Sequence, residues 1–167
     1  MNKQRGFSLI ELLVVVAIIM IIAAIAIPNL LRSKMAANEA SAVSGIRTIT
    51  TAETTYASSW GSGYAVDLAS LGGIVSPCVA TAASACIIDP AMSSGVKAGY
   101  TFAAAGNTIT GTTYNGFEVN ATPASVGVTG QRAFCSDQTG VLRYNTTGAA
   151  IGTGAGNCGA AAQLIGD

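Results

Sequence analysis

Four cysteines, Cys78, Cys86, Cys135 and Cys158, and one carboxylate stranded among apolar residues, Glu11, are the side chains of this 167-residue chain with chemistry to offer. The thiols form no Cys-x-x-Cys pair and the chain has no histidine, which argues against a metal site and rules out His-based triads and imidazole acid–base work. In an oxidising compartment the thiols pair as disulfides. Three connectivities are open to four cysteines; the favoured one joins Cys78–Cys86, stapling a loop, and Cys135–Cys158, tying a Gly-rich tail to the rest. Each closure contributes roughly 2–4 kcal/mol. The other acids, Glu39, Glu53, Asp67, Asp89, Glu118, Asp137 and Asp167, are scattered without a catalytic motif, and Asp137 with Gly140 reads as a turn rather than a cation site. No Gly-rich phosphate loop is present. The chain is therefore expected to have no catalytic residue, metal or cofactor. Eight Lys+Arg balance eight Asp+Glu, which argues against nucleic-acid binding by bulk charge. Asn120 and Asn145 each open an Asn-x-Thr pattern, too short a signal to assign glycosylation.

The elements that position Glu11 come first. Residues 12–27 are sixteen apolar residues without a break. With Phe7, Leu9 and Ile10 before them and Leu30 and Leu31 after, the run is long enough to cross a bilayer, which needs roughly 20 apolar residues. Apolar all round, it must be buried in lipid or in protein. Three readings compete: a cleaved secretory signal peptide with Lys3 and Arg5 as its basic region, a plain membrane anchor, and a segment that starts in the membrane and later packs inside an assembly. Glu11 separates them. An acid costs up to about 2.5–3.5 kcal/mol at mid-bilayer and gives a signal peptide or plain anchor nothing in return. If the chain is cut after Gly6, Phe7 gains a free amine one helical turn from Glu11, in the same chain or a neighbouring one. The carboxylate also suits the positive end of the helix dipole.

The stretch Lys3-Gln4-Arg5-Gly6-Phe7-Ser8-Leu9-Ile10-Glu11 resembles the class III leader of type IV pilins and related pseudopilins. That leader is short and basic, with Gly before the cut, Phe at the first mature position and Glu at the fifth; here these are Gly6, Phe7 and Glu11. Pro28 falls where the family helix is often kinked. The resemblance implies that a membrane-embedded prepilin peptidase removes residues 1–6 and methylates the Phe7 amine. It further implies an inner-membrane pool of subunits and an assembly platform with an ATPase that extracts them into a helical filament of identical copies. In that filament Glu11 would pair with the Phe7 amine of a neighbour. The cytoplasmic placement of the leader is also taken from the resemblance, because Lys3 and Arg5 on one side of the block tie with Arg32 and Lys34 on the other. The pair Cys135–Cys158 resembles the C-terminal disulfide of many pilins.

Beyond the block, Val43, Ile46, Ile49, Ala52, Tyr56 and Trp60 recur at spacings of three and four, predicting an amphipathic helix over 35–60 that packs one face, with Tyr56 and Trp60 in the core. One helix from about Ser8 to Ser59 is expected, bent at Pro28. Residues 61–98 read as a connecting loop with a helical turn near Asp67 to Leu71. Residues 99–145 read as an antiparallel sheet of three or four strands. Tyr100 and Phe102 alternate, Phe117, Val119 and Ala121 alternate against Glu118 and Asn120, and a hairpin turns at 137–140. Residues 146–167 read as a Gly/Ala-rich tail. The expected fold is α+β, a leader at 1–6 and a membrane or filament-core segment at 7–34 preceding a helix laid on a sheet. The functional expectation is a structural subunit of a type IV pilus displayed on the cell surface, serving adhesion, twitching motility or DNA uptake. A major pseudopilin of a type II protein secretion system is the alternative, and a secreted domain behind an ordinary signal peptide is the alternative of another class.

Overall fold

Helix α1, Leu9–Trp60, is the first element of the structure, a computed structural model that describes residues 7–73, 77–152, 157–160 and 163–164. Two compact units divide the chain, Met1–Lys34 and Met35–Asp167, and α1 contributes to each. The leader, with Lys3, Arg5 and Gly6, lies outside the described residues.

In the first unit α1 is built from Leu, Ile, Val, Ala and Met, and it stays helical through Pro28. The proline ring brings no N–H, so the carbonyl of Ala24 loses its helical donor there.

In the second unit α1 buries Ala42, Ile46, Ile49, Ala52 and Tyr56, one face at helical spacing. Val43 and Trp60 pack beside that core half-buried. Short helices α2, Leu68–Leu71, and α3, Pro90–Ser93, follow, capped by the carboxylates of Asp67 and Asp89. The sheet has six antiparallel strands in sequence order: β1 Val96–Lys97, β2 Tyr100–Thr110, β3 Thr113–Pro123, β4 Ala133–Asp137, β5 Arg143–Asn145 and β6 Gln163–Leu164. A third short helix, α4, Asn157–Ala160, precedes β6. Among the described residues the sheet therefore has six strands rather than three or four. It starts inside the stretch read as loop and ends inside the stretch read as tail. The extra strands, β1 and β6, are two residues each, too short to carry a period-2 signal.

The long hairpin β2–β3 pairs Tyr100 with Pro123 through Thr110 with Thr113. Its two-residue connection opens with Gly111 at φ +66°, as a type II′ turn requires. The second hairpin turns at 137–140, with the Gly140 N–H donating to the Asp137 carbonyl at 2.9 Å.

The faces of β3 hold the main surprise. Phe117, Val119 and Ala121 pack toward α1 with Phe102 and Phe134, as alternation demands. Glu118 and Asn120, which by the same alternation should face water, are also buried. The C-terminal segment covers them. Asn120 Nδ2 donates to the Gly152 carbonyl at 2.6 Å, Glu118 Oε1 accepts the Cys158 N–H at 3.0 Å, and a small cluster of Ala133, Cys135, Ile151 and Cys158 forms there. The globular unit thus has three layers: helix, sheet and C-terminal cover.

Candidate assembly site

The N-terminal end of α1 brings Phe7, Ser8 and Glu11 together. Ser8 precedes the first helical residue, and Glu11 Oε2 accepts its N–H at 2.9 Å, while the Leu12 N–H reaches the Ser8 carbonyl at 3.3 Å. Ser8-Leu9-Ile10-Glu11 is a capping box, in which the acid at the third helical position satisfies a backbone donor that the helix leaves open. This role was legible as Ser-x-x-Glu before an apolar run. Oε1 of Glu11 has no hydrogen-bond partner among the described residues, so one carboxylate serves its own helix and keeps an acceptor oxygen for another donor. Phe7, Ile10, Glu11, Val14 and Val15 line an open groove of about 450 Å³ beside it.

The surface that follows is uncovered. In the most apolar 18-residue window of α1 none of the residues is buried, and the mean hydropathy there is 3.2. Phe7 is 78% exposed, and large apolar side chains stay exposed along α1 from Leu9 to Leu31. By length and composition the segment can cross a membrane. A contiguous apolar surface of this extent marks a site that lipid or protein must cover.

The globular unit holds its acids differently. Glu39 is nearly buried, and both oxygens are used. Oε1 accepts the Gln131 and Arg132 N–H groups at 2.9 and 3.1 Å, and Oε2 accepts Arg132 Nε and Nη2 at 2.9 and 2.7 Å. Burial raises the Glu39 pKa, but the Arg132 side chain, the two backbone donors and the Arg132 charge together outweigh it and hold the carboxyl below its usual 4.5. The guanidinium lies 5.5 Å from the ring centres of both Phe134 and Tyr144. Asn38 Nδ2 donates to the Thr129 carbonyl at 2.8 Å, and the Tyr100 hydroxyl to that of Arg132 at 2.8 Å. Burial, then the Glu39 charge, pushes the Tyr100 phenol up. Partners about 90 residues apart, with no motif between them, gave sequence reasoning no signal for this clasp. Glu53, counted in the sequence among scattered acids, is fully buried and accepts the Ala65 N–H at 2.9 Å.

The structure joins Cys78 to Cys86 and Cys135 to Cys158. The first closes a small loop that the Tyr56 hydroxyl ties to α1 through the Ala82 carbonyl at 2.7 Å. The second fastens the C-terminal cover to β4. Of the two Asn-x-Thr patterns, Asn120 is only 5% exposed with its amide engaged, so the folded chain does not present it. Asn145 Oδ1 is occupied by the Thr147 N–H at 2.8 Å.

Residues 1–27 match the family described as "Prokaryotic N-terminal methylation motif". Among curated proteins, the chain is 56% identical over 39 residues to the type IV wide pilus major component PilA4 of Thermus thermophilus, covering 23% of this chain and 30% of that one. It is 43% identical over 54 residues to the type IV major pilin protein PilA of Myxococcus xanthus, covering 32% and 24%. To the type II secretion system core protein G of Escherichia coli it is 47% identical over 45 residues, covering 27% and 31%. The chain thus spans between 24% and 31% of the length of these relatives. No solved structure matches. By its amino-terminal segment, the chain is similar to type IV pilins and to a type II secretion pseudopilin.

Proposed function

We propose that this chain is the structural subunit of a type IV pilus, a polymerising protein and not an enzyme. A prepilin peptidase hydrolyses the bond between Gly6 and Phe7 and methylates the new amine. The subunit then waits in the inner membrane with its globular unit on the periplasmic side, until an ATPase-driven platform moves it into a surface filament of identical copies. The observation that carries this reading is the uncovered apolar length of α1 with a single carboxylate near its start. In lipid that carboxylate costs up to about 2.5–3.5 kcal/mol, depending on depth. Cleavage creates a cation to offset the cost, and in the dry core of a helix bundle the attraction between opposite charges far exceeds its value in water. Oε2 stays with the Ser8 N–H, and Oε1 takes the Phe7 amine of a neighbouring copy. Pro28 adapts the helix to its neighbours. Adhesion, twitching motility and DNA uptake are then properties of the fibre.

Purified surface filaments decide the matter by the mass of their N-terminal peptide. The expected peptide begins at N-methylated Phe7. A soluble monomer beginning at Ile27, after the small-x-small stretch Ala24-Ile25-Ala26, overturns the reading in favour of an ordinary signal peptide. The resemblance to secretion protein G keeps one second reading in play, a pseudopilin of a type II secretion system. Deletion of the gene separates the two, since loss of surface fibres marks the pilin and retention of exported enzymes marks the pseudopilin.

A further inference from the structure

Glu53 lies on the inward face of α1 with no exposed surface. One oxygen, Oε2, accepts the Ala65 N–H at 2.9 Å; the other, Oε1, is buried with no hydrogen-bond partner. Among the described residues no cation is in ion-pair contact with it. The connector it holds, residues 61–67, leads from α1 to α2 and is stitched to the β2–β3 hairpin. The Tyr64 N–H donates to the Tyr114 carbonyl at 2.9 Å, the Gly106 N–H to the Val66 carbonyl at 3.2 Å, and Asp67 bridges to Ala105. Strand β1 pairs only with Tyr100 and Thr101, so at Ala105 and Gly106 the connector is what covers the outer edge of β2. An open edge of this kind is a template for another strand.

We propose that Glu53 is a pH-operated latch on this connector: as a neutral acid it holds the Ala65 N–H and keeps the edge of β2 closed, and as an anion it turns toward water and lets the connector open. A carboxylate with one donor and no cation cannot recover its hydration inside the core, whereas a neutral acid loses far less there. Burial pushes the Glu53 carboxyl up to about 7; the Ala65 N–H works against that rise, and the charge of Asp67 adds to it. The ionisable groups on the elements packed around the latch are few. The connector brings Asp67 and Tyr64, the hairpin brings Tyr114, and α2 brings none. Glu118 of β3 points to the opposite face of the sheet, to the Cys158 N–H, and the Tyr100 hydroxyl is directed to the Arg132 carbonyl. On α1 itself, Glu39 is bound to Arg132, Arg47 is exposed to solvent, and the Tyr56 hydroxyl donates to the Ala82 carbonyl. The folded value lies above the unfolded one, so the stabilising contribution is full below about 4.5 and is lost as the pH climbs to about 7. The proton passes to the buffer.

The test is hydrogen exchange of the full-length chain in detergent at pH 5.5 and 8.5, corrected for the intrinsic pH dependence of exchange. From the two pKa values, protection of 61–67 and of 104–107 is expected to fall ~30-fold in the wild type, and Glu53→Gln, uncharged at both pH values, is expected to abolish that fall. Equal protection at both pH values in the wild type overturns the latch, and so does an undiminished fall in Glu53→Gln. If that variant does not fold, carboxyl carbon NMR of the wild type decides: a Glu53 midpoint near 7 supports the latch, and one near 4.5 overturns it. The latch rests on the globular unit alone and stands or falls independently of filament formation.

Discussion

Glu11 and Glu39 are both glutamates on α1, and they show how differently the two units are finished. Glu39 accepts from four donors on its two oxygens inside the fold, with the Arg132 guanidinium lying over two aromatic rings. Glu11 engages one oxygen, and the apolar surface around it is covered by none of the described residues. A domain that must survive alone satisfies most of its polar groups, Glu53 Oε1 being an exception here, and hides its apolar ones. A segment that leaves both undone completes itself with other molecules. The globular unit is therefore built for stability and the first unit for association, and substitutions in the two should fail in different assays.

Glu11 offers the largest expected effect and the sharpest way to break that contrast. Replacing it with Val removes both the Ser8 cap, worth about 1 kcal/mol, and the anion. Membrane insertion should persist, while fibre yield falls at least tenfold, read from sheared and fractionated cells. Glu11→Gln separates the two roles, because an amide at this position still accepts the Ser8 N–H but carries no charge. If pairing with an amine is what assembly needs, Gln fails as Val does. Methylated fibres at wild-type yield from the Gln variant would show that Glu11 is a cap and nothing more, and the distinction between the two glutamates would collapse.

Glu39 should fail the other way. Glu39→Ala leaves the Arg132 guanidinium and two backbone N–H groups without their acceptor and is expected to cost about 2–3 kcal/mol, below the 3–5 of a fully buried pair because the Arg132 side chain is 44% exposed. Thermal melts of the full-length chain, followed by its one tryptophan, Trp60, measure this. The sign with pH is fixed by the lowered carboxyl. Its contribution is present above the unfolded value of 4.5 and is lost as the pH falls through the lower folded one. Glu39→Gln should therefore lack part of the wild type's acid destabilisation. An unchanged acid limb in that variant would mean that the clasp contributes nothing.

The sequence carried the helical part of the first unit, because a segment apolar on every side leaves a continuous apolar run. It carried α1, β2, β3 and the second hairpin because each has a period or a turn of its own. What it did not carry depends on distance along the chain. Glu39 and Arg132 are 93 residues apart, and nothing at either position hints at the other. Glu118 and Asn120 misled for a related reason: alternation says which residues share a face, but not that a tail of small residues will return to cover the polar one.

Gly45 measures how tightly the finished unit is packed, and its effect should be the smallest. It lies on α1 where Ile46 and Ile49 are fully buried, and a Cβ built on it would stand 2.7 Å from Phe102 Cε1 and 3.3 Å from Met92 Cε. Alanine in a helix interior gains up to about 1 kcal/mol over glycine, and overpacking costs about 1–3 kcal/mol. Phe102 is 4% exposed and Met92 1%, so neither ring nor thioether has open space to enter. The cost should exceed the gain, leaving Gly45→Ala about 1 kcal/mol less stable and lowering its melting temperature by about 3 °C. Fibre yield should not change, since the deficit falls well inside the stability of a disulfide-bonded domain and leaves Glu11 untouched. A melting temperature that rises would show that the ring swings aside, and that helix and sheet meet here with room to spare.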